Sequence, residues 1–213
     1  MPIRGKFISL EGGEGAGKST QARALAQKLR ARGKDVLMTR EPGGSPWAER
    51  LRSALLSDAG QALSPAEQTV MFAAARADHV DTVIEPALAE GRWVVCDRFA
   101  DSTEAYQGSA GASTEMMALL RAVAAGDLAP DLTFILDLPP EVGRERAEQR
   151  DTLDGFEKDT MEVQGRRRNA FLQIAAREPA RCVVVDATIS QDEVAEAMWR
   201  VVHERLLPTL TVA

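Results

Sequence analysis

Short apolar runs alternate along the chain with longer stretches in which apolar residues recur at a helical period. The runs are rich in β-branched residues and continuously apolar, which is typical of strands that are covered on both faces of a parallel sheet. We therefore predict five strands, at 7–10, 35–39, 93–96, 132–136 and 182–186.

The stretches between these runs are rich in Ala, Leu, Arg and Glu, and we predict helices there. Gly33, Gly91 and Gly126 each follow the last periodic residue of such a stretch, as glycine often does at helix C-termini. Residues 107–114 and 150–156 are the most loop-like interior stretches, and neither is long enough to link two domains. The predicted helices cover 18–33, 46–57, 64–90, 113–125, 139–149, 157–177 and 190–206.

The alternation of strands and helices predicts an α/β fold. We expect a parallel five-stranded sheet flanked by helices, in a single domain over residues 1–213. In such folds the ligands bind beyond the carboxyl ends of the strands. The residues that follow the predicted strands are therefore the first candidates for a functional site.

Composition narrows the possible functions. The chain of 213 residues has a formal net charge of −6 and a pI of about 5.1, which disfavours binding to nucleic acid or to an anionic membrane. No apolar run approaches the ~20 residues of a membrane span, and we expect a cytoplasmic protein. Cys96 and Cys182 lie in apolar runs, where small buried residues are typical, and they predict neither a disulfide nor a metal site.

The stretch EGGEGAGKST at 11–20 carries the spacing G-x-x-x-x-G-K-[ST] directly after the first predicted strand and before a predicted helix. This context is that of a phosphate-binding loop (P-loop), which we place at 12–19. Glycines let successive backbone N–H groups turn toward one anion, the helix N-terminus adds its positive end, and lysine adds a charge for the β- and γ-phosphates. A serine after the lysine offers a hydroxyl to Mg²⁺. The residues predicted to bind a nucleoside triphosphate are Gly12, Gly13, Glu14, Gly15, Ala16, Gly17, Lys18, Ser19 and Thr20.

Asp97 and Arg98 follow the third predicted strand, at the sheet edge that carries the P-loop. Asp97 could hold Mg²⁺ through water, and Arg98 could clamp a phosphate with two hydrogen bonds. The alternative is a buried structural ion pair.

A further cluster of arginines lies at 144, 146 and 150, where Arg146 and Arg150 share one helical face that leads into a polar loop. One interpretation is a lid, at about 144–157, that closes over the triphosphate and supplies arginines to the transferring phosphoryl group. The other is a set of solvated surface arginines interleaved with glutamates. P-loop positions 13–16 contain no basic residue, so the positive charge must come from elsewhere.

His79 and His203 lie away from these motifs in sequence, and we expect them at the surface or as satisfied helix residues. The lack of a histidine base is no obstacle if the acceptor is a phosphate monoester. Its second pKa is about 6, so it is already ionised at neutral pH.

Several motifs occur in an order that resembles the thymidylate kinase family. They are EGGEGAGKST, TREPGGS at 39–45, MFAAARADH at 71–79, DRFADSTEAYQG at 97–108 and GDLAPDLTFILDLPPEVG at 126–143. The resemblance covers essentially the whole chain, and two of the motifs, TREPGG and DRF with AYQG, are more specific than a P-loop alone. It implies the nucleoside monophosphate kinase fold with a short lid and direct in-line transfer of the γ-phosphoryl group of MgATP to dTMP. The product dTDP serves dTTP biosynthesis, and family members are usually homodimers.

The resemblance also implies roles for individual residues at the acceptor site. Phe72 would stack on thymine, Arg76 would hydrogen-bond the base, and Tyr106 would disfavour a ribose 2′-hydroxyl. Pro42 lies in the loop near the acceptor phosphate, with a cis peptide left open. The implied dTMP-binding residues are Glu14, Arg40, Pro42, Phe72, Arg76, Arg98, Thr103, Tyr106 and Gln107.

The implied catalytic residues are Lys18, Asp97, Arg98, Arg146 and Arg150, with Ser19 and Asp97 at the Mg²⁺ ion. The chain departs from the family at Phe99, where relatives carry tyrosine, and at Gly155, where relatives often carry a lid arginine. Another small P-loop kinase and a GTP-binding switch protein are the alternatives. The sequence lacks the N-K-x-D motif with which such switches bind guanine.

Overall fold

The computed structural model describes residues 3–148 and 159–207. Within these residues five strands form one parallel sheet in the order β2-β3-β1-β4-β5. The strands coincide closely with the short apolar runs, and the predicted parallel five-stranded sheet is confirmed. The strands are β1 Phe7–Gly12, β2 Val36–Arg40, β3 Trp93–Asp97, β4 Leu132–Asp137 and β5 Cys182–Asp186.

Helices cover both faces of the sheet. No helix in the described part of the chain has both the length and the apolar character needed to cross a bilayer. The α-helices of that part are α1 Lys18–Ala31, α2 Pro46–Leu55, α3 Asp58–Gln61, α4 Pro65–His79, α5 Glu85–Ala89, α6 Ala100–Thr103, α7 Thr114–Ala125, α8 Pro140–Glu148, α9 Met161–Arg177 and α10 Gln191–Leu206.

The central strand β1 is buried along its whole length. Ile8 and Leu10 pack into a core with residues of α1 and α10, whereas Phe7 points to the opposite face and packs with residues of α5 and β3. Because both faces are covered, no polar alternation is needed, which explains the continuous apolar run.

The stretch 64–90, predicted as one helix, is helical throughout but changes its period. Ser64 and Glu67 form a capping box at the start of α4, and a π-helical segment over Val80–Ile84 separates α4 from α5. Pro86 lies just after this segment, and because proline has no N–H it cannot continue the regular i to i−4 hydrogen bonds.

Two helical segments arise where none was predicted. The short α3 is one, and the other is α6, which continues as a π-helical segment over Glu104–Gly108. The loop predicted at 107–114 is therefore wrong at its start. The reason is that polar residues of this segment are buried against other polar groups, so the apolar periodicity that marks a surface helix is missing.

The register of the sheet brings the ends of three strands together. Asp97 lies beside Leu10 of β1 and beside Arg40 of β2. The P-loop after β1, the TREPGGS segment at the end of β2 and the DRF segment at the end of β3 therefore meet at one edge of the sheet.

Candidate active site

The P-loop lies between the end of β1 and the start of α1, as its motif requires. Glycine is obligatory at two of its positions. A Cβ at Gly12 would lie 2.5 Å from the carbonyl oxygen of Leu136, and one at Gly15 would lie 2.2 Å from that of Gly143. Both residues also have positive φ, at 134° and 72°. The close packing of the loop against β4 and α8 therefore depends on these glycines.

Lys18 is the first residue of α1 and lies buried beneath the loop. Its Nζ donates a hydrogen bond of 2.6 Å to the carbonyl oxygen of Gly13. Burial, together with the neighbouring charge of Arg98, lowers the pKa of Lys18. The ammonium group is thus held at the loop by one backbone acceptor, which a phosphate oxygen could replace.

Ser19 in the first turn of α1 adjoins Asp97 at the end of β3, and the Ser19 hydroxyl donates to the Asp97 carboxylate. The described residues contain no cluster of three or more His, Cys, Asp or Glu side chains that could hold a metal. Mg²⁺ at triphosphate sites takes one or two protein oxygens, with phosphates and water supplying the rest. This pair of oxygen donors fits such an ion.

Arg98 joins the P-loop to the segment after β3. Its backbone adopts a left-handed conformation, with φ of 72°, in which its N–H donates to the Leu10 carbonyl at 2.9 Å. The guanidinium Nη2 lies 2.5 Å from Oε1 of Glu14 and 3.0 Å from the Tyr106 hydroxyl. Nη1 donates to the Gly12 carbonyl at 3.3 Å. Arg98 is therefore fixed where the P-loop meets the neighbouring cleft.

Glu14 and Tyr106 complete this cluster, and the Tyr106 hydroxyl also donates to Glu14. Although burial raises it, the charges of Arg98 and Lys18 lower the pKa of Glu14 to about 2. Burial raises the pKa of Tyr106. Arg167 of α9, which the sequence did not single out, places its guanidinium carbon 4.4 Å from the centre of the Tyr106 ring.

Glu11, the residue before the P-loop, is fully buried. Its carboxyl oxygens accept hydrogen bonds from the Phe99 N–H at 2.7 Å and from the Ser102 hydroxyl at 2.6 Å. Ser102 in turn accepts from Nη1 of Arg98 at 3.2 Å. Burial, with the charge of Asp101, raises the pKa of Glu11 to about 8.

A cleft with an open volume of about 550 Å³ adjoins this cluster. The side chains combine an aromatic face with several donors and acceptors. They are Glu14, Glu41, Pro42, Arg52, Leu56, Phe72, Arg76, Arg98, Phe99, Ser102, Thr103, Tyr106 and Gln107.

Arg76 is a buried charged residue of this cleft and is only 4% exposed. Its Nε donates to Oε2 of Glu41 at 2.8 Å, and its Nη2 donates to the Thr103 hydroxyl at 3.1 Å. Phe72 lies four residues earlier on α4 and therefore on the same helical face. Gln107 is fixed by another route, since its Nε2 donates to Oε1 of Gln68 at 3.2 Å.

The structure places most of the residues expected at the acceptor site in one cleft, but not Arg40. The Arg40 side chain is 54% exposed and pairs with Glu49 at 3.2 Å. It lies in a separate groove with Ser19 and Asp97. Arg52 of α2 lines the cleft instead and donates to the carbonyl of Pro42 at 2.9 Å. The Glu41–Pro42 peptide is cis.

His79 is a satisfied helix residue, one of the two alternatives expected from the sequence, but it does not lie where the sequence analysis expected. The interpretation that it lies away from the motifs is wrong, because the segment after β2 packs against the end of α4. His79 is fully buried, with Nδ1 3.1 Å from Oε1 of Glu41 and Nε2 2.7 Å from the Thr39 hydroxyl. Its hydrogen-bonding groups are thus satisfied by two residues of the TREPGGS motif.

Of the predicted lid arginines, the two that the structure describes make their contacts away from the P-loop. Arg144 pairs with Glu148 on the exposed side of α8, and Nη1 of Arg146 donates to the Ala187 carbonyl at 2.9 Å, after β5. Arg150 and Gly155 lie outside the described residues, as does residue range 149–158 of the predicted lid region. Arg168 of α9 forms a bidentate pair with Asp137 at the end of β4, at 2.6 and 2.9 Å.

Comparison with known proteins gives one consistent result. The family model described as thymidylate kinase matches residues 10–198. A curated thymidylate kinase of Bradyrhizobium diazoefficiens is 54% identical over 210 residues, covering 97% of this chain and 92% of the relative. One of Rhodopseudomonas palustris is 53% identical over 210 residues, covering 96% and 91%.

Among solved structures, the crystal structure of thymidylate kinase from Ehrlichia chaffeensis is similar, with a TM-score of 0.77 and 32% identity. The match covers 93% of this chain and 99% of that one. The chain is thus similar to these kinases in sequence and in fold along nearly its whole length. It belongs to the thymidylate kinase family.

Proposed function

We propose that the protein transfers the γ-phosphoryl group of ATP directly, in line, to dTMP, and so supplies dTDP for dTTP biosynthesis. The observation that carries this proposal is the contact between Glu14 and Arg98. It places an acid of the P-loop and an arginine of the neighbouring cleft in one cluster. Donor and acceptor sites therefore adjoin, as direct transfer between two bound substrates requires.

The donor triphosphate would lie on the P-loop, with its β- and γ-phosphates at the backbone N–H groups and at Lys18. Glycines Gly12, Gly13, Gly15 and Gly17 form this loop together with Ala16. Ser19, Thr20 and Asp97 lie at the start of α1 and the end of β3, where Ser19 and Asp97 would hold Mg²⁺. Bound Mg²⁺ would neutralise charge on the phosphates. Positive charge at the α1 N-terminus acts in the same direction.

The acceptor phosphate would bind to Arg98. Its guanidinium already has two nitrogens committed to oxygen acceptors, and phosphate oxygens can take the same donors. Because a phosphate monoester with a pKa of about 6 is ionised at neutral pH, no residue has to remove a proton from the nucleophile. The protein then acts by alignment and by charge stabilisation.

The nucleoside of dTMP would extend into the cleft. Phe72 offers a ring for stacking, and Arg76 and Gln107 offer polar groups to the base. Tyr106, held by Glu14 and Arg98, would exclude a 2′-hydroxyl at the sugar. The thymine methyl group can contribute only ~1–3 kcal/mol of selectivity over uracil in an apolar pocket.

Three arginines are candidates for stabilising the transferring phosphoryl group. Arg146 would first have to leave the Ala187 carbonyl, and Arg150 stays a prediction because it lies outside the described residues. Arg167 lies nearer the acceptor cluster, beside Tyr106. Arginine supplied to this charge is worth about 10³–10⁵ in rate in related phosphoryl transfers.

The protein is also proposed to act as a homodimer. Leu119 and Val123 on α7 and Val70 on α4 are 65%, 73% and 49% exposed. Exposed apolar side chains such as these are what a second copy of the chain would cover. The cytoplasmic location expected from the sequence stays a prediction.

The decisive experiment is a coupled assay of ADP release with ATP, Mg²⁺ and a panel of acceptors: dTMP, dUMP, dGMP, AMP and CMP. The family relationship and the cleft predict that dTMP leads. A stronger preference for AMP or CMP would favour another small P-loop kinase. Absence of ADP release with dTMP would refute the proposal.

A further inference from the structure

His79 is a buried imidazole for which the proposed reaction has no direct use. It ends α4, three residues after Arg76, and is 0% exposed. Residues three apart on a helix share one face, so His79 and Arg76 point toward the same loop. The loop is that of Glu41, which contacts both side chains.

The hydrogen-bond partners assign the proton on the imidazole. Glu41 is ion-paired with Arg76 and its carboxylate oxygens only accept. Nδ1 of His79, 3.1 Å from Oε1, must therefore carry the hydrogen. Nε2 lies 2.7 Å from the Thr39 hydroxyl, which fixes the other side of the ring. The ring plane is thus set from both ends.

The same carboxylate sets the orientation of Arg76. Oε2 of Glu41 accepts from Nε at 2.8 Å, and the Thr103 hydroxyl accepts from Nη2 at 3.1 Å. Arg76 lines the cleft, and three of its five N–H donors take no part in these two hydrogen bonds. A shift of Glu41 would turn these donors away, because a guanidinium is planar and rigid.

The imidazole also packs tightly under the loop. A Cβ at Gly44 would lie 2.3 Å from Nε2 of His79, so the loop backbone rests directly on the ring. Glu41 directly precedes Pro42, which lines the cleft, and Gly44 follows two residues after it. The ring therefore supports both the loop backbone at the acceptor site and the carboxylate of Glu41.

We propose that His79 is a positioning residue that acts through Glu41 to hold Arg76 in the orientation that receives the acceptor base. The inference rests on the proposed function, in which this base is a pyrimidine. His79 contributes no atom to the reaction. Its effect is confined to binding of the monophosphate, since buried hydrogen bonds to charged groups are strong and specific in direction.

Two substitutions separate the hydrogen bond that His79 makes with Glu41 from the one that it makes with Thr39. In His79→Asn the amide nitrogen is bonded to Cγ, as Nδ1 is, so it can still donate to Glu41. In His79→Gln the amide lies near the position of Nε2, so it can still reach Thr39 but not Glu41. Each variant loses one hydrogen bond and some ring volume. A merely structural role predicts similar effects for both.

We expect His79→Gln to raise KM for dTMP about tenfold or more, the effect of losing a buried hydrogen bond to a charged group. His79→Asn should raise it less than about threefold, and KM for ATP should change less than about twofold in both. Thermal melting of both variants serves as the control for folding. Equal dTMP KM values in the two variants, or a parallel rise of KM for ATP, would overturn the inference.

A double-mutant cycle tests whether His79 acts through Arg76. Adding His79→Gln to Arg76→Lys should change KM for dTMP less than about twofold, because the shared path is already broken. An unchanged tenfold effect would refute it. If His79→Gln fails to fold, Glu41→Gln breaks the same path, and an unaltered dTMP KM there would be equally contrary. A wild-type protein that leaves dTMP unphosphorylated refutes the proposed function itself, which distinguishes the two failures.

Discussion

Nη2 of Arg98 lies 2.5 Å from Oε1 of Glu14, although the two residues are 84 positions apart in the sequence. A carboxylate repels phosphate, so Glu14 within a phosphate-binding loop is expected to contact a group other than the triphosphate. Arg98 supplies that group, and together they form the boundary between the loop and the cleft. This contact fixes the guanidinium next to the position that an acceptor phosphate would occupy.

The first prediction concerns the shape of that guanidinium. Arg98→Lys should lower kcat/KM for dTMP at least about 100-fold, because an ammonium group keeps the charge but cannot reproduce the planar set of donors. Arg98→Ala should lower it further. Steady-state kinetics with dTMP as the varied substrate measure both effects. Arg4→Lys, at an exposed arginine paired with Glu85, is the matched control. Equal activities of Arg98→Lys and wild type would exclude a bidentate role.

The second prediction concerns stacking on Phe72. Phe72→Ala should raise KM for dTMP about tenfold while KM for ATP changes little, because the ring lines the acceptor cleft. Phe72→Tyr keeps the aromatic face and should stay close to wild type. Varying each substrate in turn at saturation of the other gives the two constants. A similar increase of both KM values would show that the ring supports the fold and not the acceptor.

The third prediction concerns the pH dependence of stability. The pKa of Glu11 rises from 4.5 to about 8 in the folded protein, so the native state holds a proton that the unfolded chain releases. The contribution of Glu11 is fully present below pH 4.5 and is lost as the pH rises through 8. Stability should therefore fall across this window, by at most ~1.4 kcal/mol per pH unit from this group.

Urea unfolding of Glu11→Gln at several pH values tests this sign. The variant cannot ionise, so its stability relative to wild type should improve from pH 5 to pH 8. Glu14 provides the opposite case, since its pKa is lowered to about 2 and its contribution is lost only on acidification below 4.5. A difference between wild type and Glu11→Gln that does not vary with pH would contradict the assignment.

The sequence predicts the sheet and the P-loop well because each depends on a local signal. Continuous β-branched runs mark strands that are covered on both faces, and the spacing of Gly12, Gly17, Lys18 and Ser19 is set by the backbone of a single loop. The α6 segment was missed because its buried polar residues lack an apolar period.

Tertiary contacts, in contrast, decide which arginines enter the cleft. Arg40 pairs with Glu49, and Arg52 donates to the Pro42 carbonyl. Both contacts depend on how α2 packs after the glycines of TREPGGS. No sequence pattern indicates which of the two arginines lines the cleft. His79 shows the same limit, because its partner Glu41 is 38 residues away and belongs to a different motif.

The last prediction concerns selection of the base by Gln68, which lies behind Gln107. Nε2 of Gln68 donates to the Gly60 carbonyl at 3.2 Å, which only accepts, so Oε1 must face Gln107 and receive its amide nitrogen. With its amide nitrogen turned toward Gln68, Gln107 has a fixed orientation in which its oxygen can accept from the N3–H of a thymine ring, whereas N3 of cytosine is itself an acceptor. Gln68→Met should therefore raise the ratio of kcat/KM for dCMP over dTMP about tenfold, by freeing the Gln107 amide to rotate.

Gln61→Met is the matched control, since Gln61 makes the same type of bond to the Leu55 carbonyl but does not line the cleft. A dCMP to dTMP ratio that stays constant in Gln68→Met, or rises equally in Gln61→Met, would show that the amide of Gln107 does not select the base.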